Sequence, residues 1–341
     1  MTSENQLRIR QARIALGRVI DPRDTIGHVL IAALGPVSAW EVVSGARGLD
    51  PDESRALSRA VDEAAGQVLG TLTTATQRWA ARAAVTDAEA DRAAAEEVGA
   101  WLRIPEDDDW PAALDLLGLQ SPVCLWGRGI RRGLRQWPCE AVAVVGSRDV
   151  TAYGRSVTFD LAGALAARGR TIISGGAYGV DEAAHRAGLA AGISAVPTIA
   201  VMAGGVDRLY PRGNQELLER IAVEGTILSE SPPGTVPARY RFLDRNRLIA
   251  ALSAGTVITE SRWRSGAQST AHHANLLSKP VGAVPGSIHS AASAGCHRLI
   301  REGAAVLVTD VDEVLSLLGP LDPMTEPAPA QQLQIFDGLS R

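Results

Sequence analysis

Apolar residues recur at helical spacing through the first hundred positions, whereas from about residue 120 onward they gather into short runs with helical segments between them. Leu7, Ile9, Ala12, Ile14 and Leu16 open an apolar stripe, Ile26 to Leu34 continues it, and Asp52 to Leu72 repeats alanine, glutamate and valine at helical intervals. Asp50-Pro51 marks a helix start, an N-cap carboxylate followed by a proline in the first turn. Alanine-rich, acidic Asp87 to Val98 predicts a further helix. Residues 1–104 read as a small all-helical N-terminal domain, a scaffold or docking module without visible chemistry.

The pattern changes at Ile104-Pro105-Glu106-Asp107-Asp108-Asp109-Trp110-Pro111, a turn-rich acidic link taken as the boundary between 1–104 and 105–318. Apolar runs then follow at Val123–Trp126, Ala141–Val145, Thr171–Ile173, Thr198–Ala203, Thr226–Leu228, Thr256–Thr259, Val281–Val284 and Ala305–Val308. Strands apolar on both faces and joined by crossover helices form a parallel sheet covered on both sides. The expected fold class is α/β, an extended Rossmann-like, doubly wound, mainly parallel sheet preceded by the helical domain. Its ligands belong beyond the carboxyl ends of the strands. Residues 319–341, proline- and glutamine-containing before an apolar piece at Leu333 to Leu339, read as a C-terminal linker or tail.

Composition narrows the functional classes. A net charge of −4 argues against indiscriminate coating of duplex DNA, so a nucleic-acid site must be a focused groove. One lysine, Lys279, stands against many arginines, a compositional bias that makes the positions of the arginines more informative than their number. Cys124, Cys139 and Cys296 lack paired metal spacing and read as small apolar residues of a reducing compartment. Neither a metal nor a cofactor is expected. With no signal-peptide core and no uncharged apolar run approaching the ~20 residues of a bilayer span, the expected location is cytoplasmic, with no membrane partner.

Candidate chemistry collects at the strand ends. Gly146-Ser147-Arg148 pairs a tight turn and a helix start with a guanidinium fork, an arrangement suited to phosphate. It is neither GxGxxG nor GxxxxGK[ST], so triphosphate hydrolysis of the usual kind has no support. Ser174-Gly175-Gly176-Ala177-Tyr178-Gly179-Val180-Asp181 repeats the device. His185, four residues after Asp181, reads as a packed histidine, since no third metal ligand accompanies the pair. Ala203-Gly204-Gly205, running on to Tyr210-Pro211, and Ser265-Gly266-Ala267 after Glu260 add further turns. On one edge of one sheet these turns outline a long groove.

Arg239 to Arg247 brings four arginines, two aromatics and Asn246 to a helix start. Arginine forks match phosphates and aromatic faces stack on bases, which points to single-stranded nucleic acid. The same strip also suits a loop-to-helix junction with arginines laid over a core and Phe242 packed beneath.

A resemblance bears on that choice. Gly146-Ser147-Arg148, Ser174-Gly-x-Ala-x-Gly-Val-Asp181 with Ala184-His185, Asp207-x-x-Tyr-Pro211, Gly225-x-x-x-Ser-Glu230, Phe242-x-x-Arg-Asn-Arg247, Ser265-Gly-Ala267 and Pro285-Gly286 occur in order. Over about 105–318 this series resembles the DNA-processing protein A (DprA, or Smf) family. The resemblance implies a non-enzymatic, homodimeric, Rossmann-like protein that binds single-stranded DNA and delivers it to the RecA recombinase in natural transformation or related recombination. It also implies roles: Gly146, Ser147 and Arg148 hold a phosphate, Arg239, Arg245 and Asn246 track the backbone, Phe242 meets a base, and Ser265 and Gly266 close the pocket; Gly175, in a turn whose glycines let a ligand approach the backbone, counts among the DNA-binding residues. Tyr240 and Arg247 are left to the fold. Leu243-Asp244 stands where the family commonly has a proline, and His297 where it usually has asparagine. Many members carry a C-terminal winged helix, which residues 319–341 are too few to form. The rival is a nucleotide-processing enzyme similar to phosphoribohydrolases, with Glu260 near Ser265-Gly266 in the corresponding region but without that class's glycine-rich phosphate loop.

Overall fold

A computed structural model describes residues 3–64, 71–135, 137–191 and 193–319. Five helices come first: α1 (Ser3–Val19), α2 (Thr25–Val43), α3 (Pro51–Glu63), α4 (Leu72–Ala83) and α5 (Ala88–Glu97). Their starts follow the capping chemistry of the sequence. Asp50 accepts from the Asp52 and Glu53 amides while Glu53 reaches back, with Pro51 in the first turn. The helix expected over 52–72 is seen as α3, residues 65–70 lie outside the described residues, and α4 begins at Leu72. The tail after 319 also lies outside them.

α2, among the described residues, is long and apolar enough to cross a membrane by length and composition, although Glu41 interrupts its apolar run. Within this fold it is bent at Gly35 (φ 74°) ahead of Pro36, and its apolar side chains pack with Leu16, Val19, Leu57, Ala60 and Trp79.

All eight apolar runs form strands, in the sheet order β1-β2-β6-β5-β4-β3-β7-β8-β9. The strands are β1 (Ala100–Arg103), β2 (Leu125–Gly129), β3 (Ala141–Val145), β4 (Thr171–Ser174), β5 (Thr198–Val201), β6 (Thr226–Ser229), β7 (Gly255–Ile258), β8 (Val281–Ala283) and β9 (Val306–Leu307). From β6 to β9 the pairing is parallel, while β1 and β2 extend one edge antiparallel. The unpredicted β1 begins inside the stretch assigned to the helical block. Its four residues are all half-buried and end on Arg103, so they lack the signature of a strand buried on both faces.

Helices cover both faces. After β3 come α7 (Ala152–Ala167), α8 (Val180–Ala191) and α9 (Gln215–Glu224), then α10 (Arg239–Ala251), α11 (Ala267–Leu276), α12 (Ala294–Arg301) and α13 (Val311–Leu318); a short helix, α6 (Trp137–Glu140), precedes β3. Alternation along β3 shows the two layers: Ala141, Ala143 and Val145 join the core under α10, α11 and α12, whereas Val142 and Val144 join the core under α7, α8 and α13. The helical block packs against the sheet too, since Ile14 and Ala95 share a cluster with Trp126, Ala200 and Ile227.

The strand order reverses at β3, which has β4 on one side and β7 on the other. In open α/β sheets such a reversal parts the connecting loops and leaves a crevice beyond the carboxyl ends. Gly146-Ser147-Arg148 leaves β3 at that point, and Ser147 N–H donates to the Glu260 carbonyl beyond β7 at 2.8 Å.

Candidate nucleic-acid interface

α10 starts at this edge, and Ala238 ahead of it supplies no side-chain cap. A helix start carries unpaired N–H groups and partial positive charge. Arg239 and Arg241 nevertheless occupy its first turn, and no acidic residue does. Arg241 has a partial answer in Asp21 at 3.7 Å, but exposed Arg239 has no ion pair among the described residues. An external anion would offset that accumulation of positive charge.

Phe242 is half-buried. The Arg148 guanidinium lies 4.8 Å from its ring centroid, and the Tyr210 ring lies 5.8 Å away, tilted by 55°. Tyr178 stands nearby: its hydroxyl accepts from Gly213 N–H at 3.1 Å, and a Cβ on adjacent Gly179 would press on the Ser147 and Arg148 carbonyls. Arg148, Tyr178, Tyr210, Arg208, Arg212 and Arg239 are all exposed. Forks for phosphate and flat faces for bases thus alternate on one surface.

Beneath it lies a buried polar layer. Arg245 is 4% exposed, and its Nη1 donates to the Val201 carbonyl at 2.7 Å. A Cβ on Gly175 would overlap this guanidinium. Burial lowers the Arg245 pKa to about 10, opposed by Asp181, so it stays charged at neutral pH. Asp181 accepts from the Gly175 and Ala177 amides at 3.1 and 3.3 Å. Burial raises the pKa of Asp181, with Arg245 acting in the opposite sense. His185 Nε2 accepts from Gly176 N–H at 3.2 Å. Its Nδ1 lies 2.7 Å from the Thr198 hydroxyl, which donates onward to Ile172 O. Nδ1 therefore carries the proton, and burial pushes this histidine down to about 3, keeping it neutral.

Several sequence expectations change at this point. Arg245, expected to track a phosphate backbone, lies under the surface and braces the Gly175 turn. The Gly175 amide donates to Asp181, and the residue is glycine because Arg245 occupies the space a side chain would need. Ser147 is buried, its N–H engaged with Glu260 and its Oγ accepting from Arg262 N–H at 3.3 Å. Gly146 fits where a Cβ would strike Glu260 O and Val180. Asn246 is buried and donates to Gly266 O at 3.2 Å, fixing half-buried Ser265 and exposed Gly266 beside α10. Among the predicted residues, Arg148 and Arg239 are exposed, and Phe242 and Ser265 are half-buried beside them.

The two residues left to the fold divide. Arg247 donates to both Glu230 oxygens at 2.7 and 2.6 Å and to Gln120 O at 2.9 Å, a structural clamp. Tyr240 instead is exposed, with Arg241 at 5.2 Å from its ring. Tyr178 and Tyr210 are surface aromatics that the sequence reading left out of the site, although both lie within its glycine-rich turns. His297 holds a turn, its Nε2 3.1 Å from Gly286 O. Glu260 is 2% exposed and accepts from Thr151 N–H at 3.0 Å as well as bonding the Thr151 hydroxyl, so it caps the entry to α7.

This fold and surface define a class: a Rossmann-like domain whose carboxyl edge offers arginine forks and aromatic faces in place of a dinucleotide loop. The chain belongs to the DNA recombination-mediator protein A family, whose model matches residues 101–319. A Mycobacterium tuberculosis relative is 46% identical over 256 residues, covering 71% of this chain and 64% of that protein, so the chain spans under two thirds of that relative's length. The DNA processing protein DprA of Streptococcus pneumoniae is 40% identical over 210 residues, covering 62% of this chain and 71% of that protein. The crystal structure of DprA from the same organism superposes with a TM-score of 0.67 at 28% identity, covering 93% of this chain and 98% of that one. A Helicobacter pylori DNA processing protein A, from a study of its single-stranded DNA binding mode, superposes with a TM-score of 0.56 at 31% identity, covering 64% of this chain and 95% of that one.

Proposed function

We propose that this chain is a non-enzymatic, cytoplasmic single-stranded DNA-binding protein that acts as a homodimer, protects incoming or processed strands and loads RecA recombinase during natural transformation or recombination. The observation that carries the DNA-binding part is the Arg148–Phe242 pair, a cation and an aromatic face 4.8 Å apart beside an uncapped helix start. In this reading Arg148 and Arg239 take phosphates, and Phe242, with Tyr210 beside it, stacks on a base. Ser265 and Gly266 form the neighbouring wall. Gly146, Ser147, Gly175, Arg245 and Asn246 act from beneath, keeping these contacts in register. Family membership and the named Helicobacter pylori relative support the assignment to single strands.

The enzyme alternative needs Glu260 free to reach a substrate. Its carboxylate is buried and engaged by Thr151, which favours the binding protein. The test is a gel-shift comparison of single- and double-stranded DNA, with and without mononucleotide competitor, run beside an assay for base release from nucleoside monophosphates. Preferential single-strand shifts without base release are expected; base release with no single-strand shift would overturn the reading.

A further inference from the structure

We propose that Trp263, with Arg264, Arg298 and Arg301, forms a second stacking subsite for single-stranded DNA, across the Gly146–Arg148 loop from Phe242. This rests on the reading that the chain binds single strands. Arg262-Trp263-Arg264 follows β7 on the same carboxyl edge of the sheet and repeats the alternation of arginine and aromatic found at the start of α10. Trp263 is 47% exposed, whereas Trp79, Trp110, Trp126 and Trp137 are buried.

The indole is held for use rather than tucked away. Arg298 Cζ lies 5.0 Å and Arg301 Cζ 6.0 Å from its ring centroid. Arg298 is oriented in turn by both Glu302 oxygens, at 3.0 and 3.2 Å. Rings held by cations keep a polarised face for a base, and the surplus charge attracts phosphate. Arg262 is answered by Asp149 and Arg298 by Glu302. Arg264 and Arg301 have no ion pair among the described residues, so the patch keeps positive charge in a chain of net charge −4.

Connectivity joins the two aromatics. Phe242 touches Arg148; the preceding residue, Ser147, accepts from the Arg262 amide; and Trp263 is next in the chain. A strand with a phosphate at Arg148 and a base on Phe242 meets Trp263 as it crosses the reversal of strand order.

The test measures binding of oligo-dT of about 4 and about 16 nucleotides, the range covered by known single-strand sites. Wild-type protein, Trp263→Ala, Trp263→Phe, Arg301→Ala and Phe242→Ala are compared. For Trp263→Ala the expected result is a loss of about fivefold or more on the long oligonucleotide with little change on the short one, the lower end of base stacking. Trp263→Phe should retain most of the affinity, and Arg301→Ala should flatten the long-oligonucleotide salt slope by about 0.7. Phe242→Ala should weaken both lengths, which separates the two sites. Wild-type binding with Trp263→Ala indistinguishable on both lengths would overturn the second subsite alone. No wild-type binding would overturn the parent reading as well. A change in sedimentation without a change in affinity would reassign the patch to a contact between protein chains and overturn the proposal.

Discussion

Arg148 and Phe242 are 94 residues apart in sequence, yet the guanidinium of one lies 4.8 Å from the ring of the other. The pair joins the loop after β3 to the first turns of α10, so a cation and an aromatic face meet at the reversal of strand order. Each half makes a different prediction. Phe242→Ala should weaken single-strand binding by about 1–3 kcal/mol at any salt concentration, the usual contribution of one stacked base. Arg148→Ala should flatten the slope of log affinity against log salt by about 0.7. Fluorescence anisotropy across a salt series distinguishes them, and an unchanged slope and affinity in an Arg148→Ala/Arg239→Ala double variant would remove this surface from consideration.

Gly175→Ala should act through Arg245. The new methyl would overlap a buried guanidinium bonded to Val201 O, which must leave that bond to make room. A loss of about 2–4 kcal/mol in urea denaturation is expected, at the upper end of overpacking because a charge is displaced as well. A stability change below about 0.5 kcal/mol would show that the two do not compete for space.

Glu230→Ala separates fold from binding. Arg247, 2% exposed in its side chain, would lose both carboxylate contacts. Leaving a buried cation without its partner costs about 3–5 kcal/mol. At temperatures where the variant remains folded, its salt slope for single strands should match wild type, because Arg247 faces inward.

Stability should fall on acidification below the ordinary histidine range. Burial holds His185 neutral in the fold, with its pKa lowered to about 3, whereas in the unfolded chain it titrates near 6.5. The unfolded state therefore binds the extra proton first; the stabilisation is present above about 6.5 and is lost as pH falls toward 3. At pH 5 this one group contributes a loss of about 2 kcal/mol relative to pH 7.5. His28, lowered to about 4 by burial, adds in the same sense. Denaturation midpoints at the two pH values provide the check. His185→Gln, which retains an acceptor for Gly176 N–H, should show a smaller pH dependence.

Much of the fold was legible because its causes are local. Eight apolar runs became eight strands, since runs of that length joined by crossover helices have few other ways to be buried, and the cap at Asp50 starts the helix that follows it. β1 was missed because Ala100–Arg103 is half-buried and lies at an antiparallel edge, where no apolar run is required. The glycine turns were visible in sequence, but what their glycines accommodate was not.

By itself the sequence determined the class of domain, the order of its parts and the motifs on its carboxyl edge, because spacing and turn chemistry act over a few residues. Only the tertiary structure decided which arginines are surface and which are scaffold. Arg245 and Arg247 occupy one short motif with Arg239 and look alike along the chain, yet Val201 O and Glu230, supplied by distant strand ends, draw the first two inward. Whether a cation faces solvent depends on the partners that packing brings to it. For Arg148 and Phe242, packing brought each to the other.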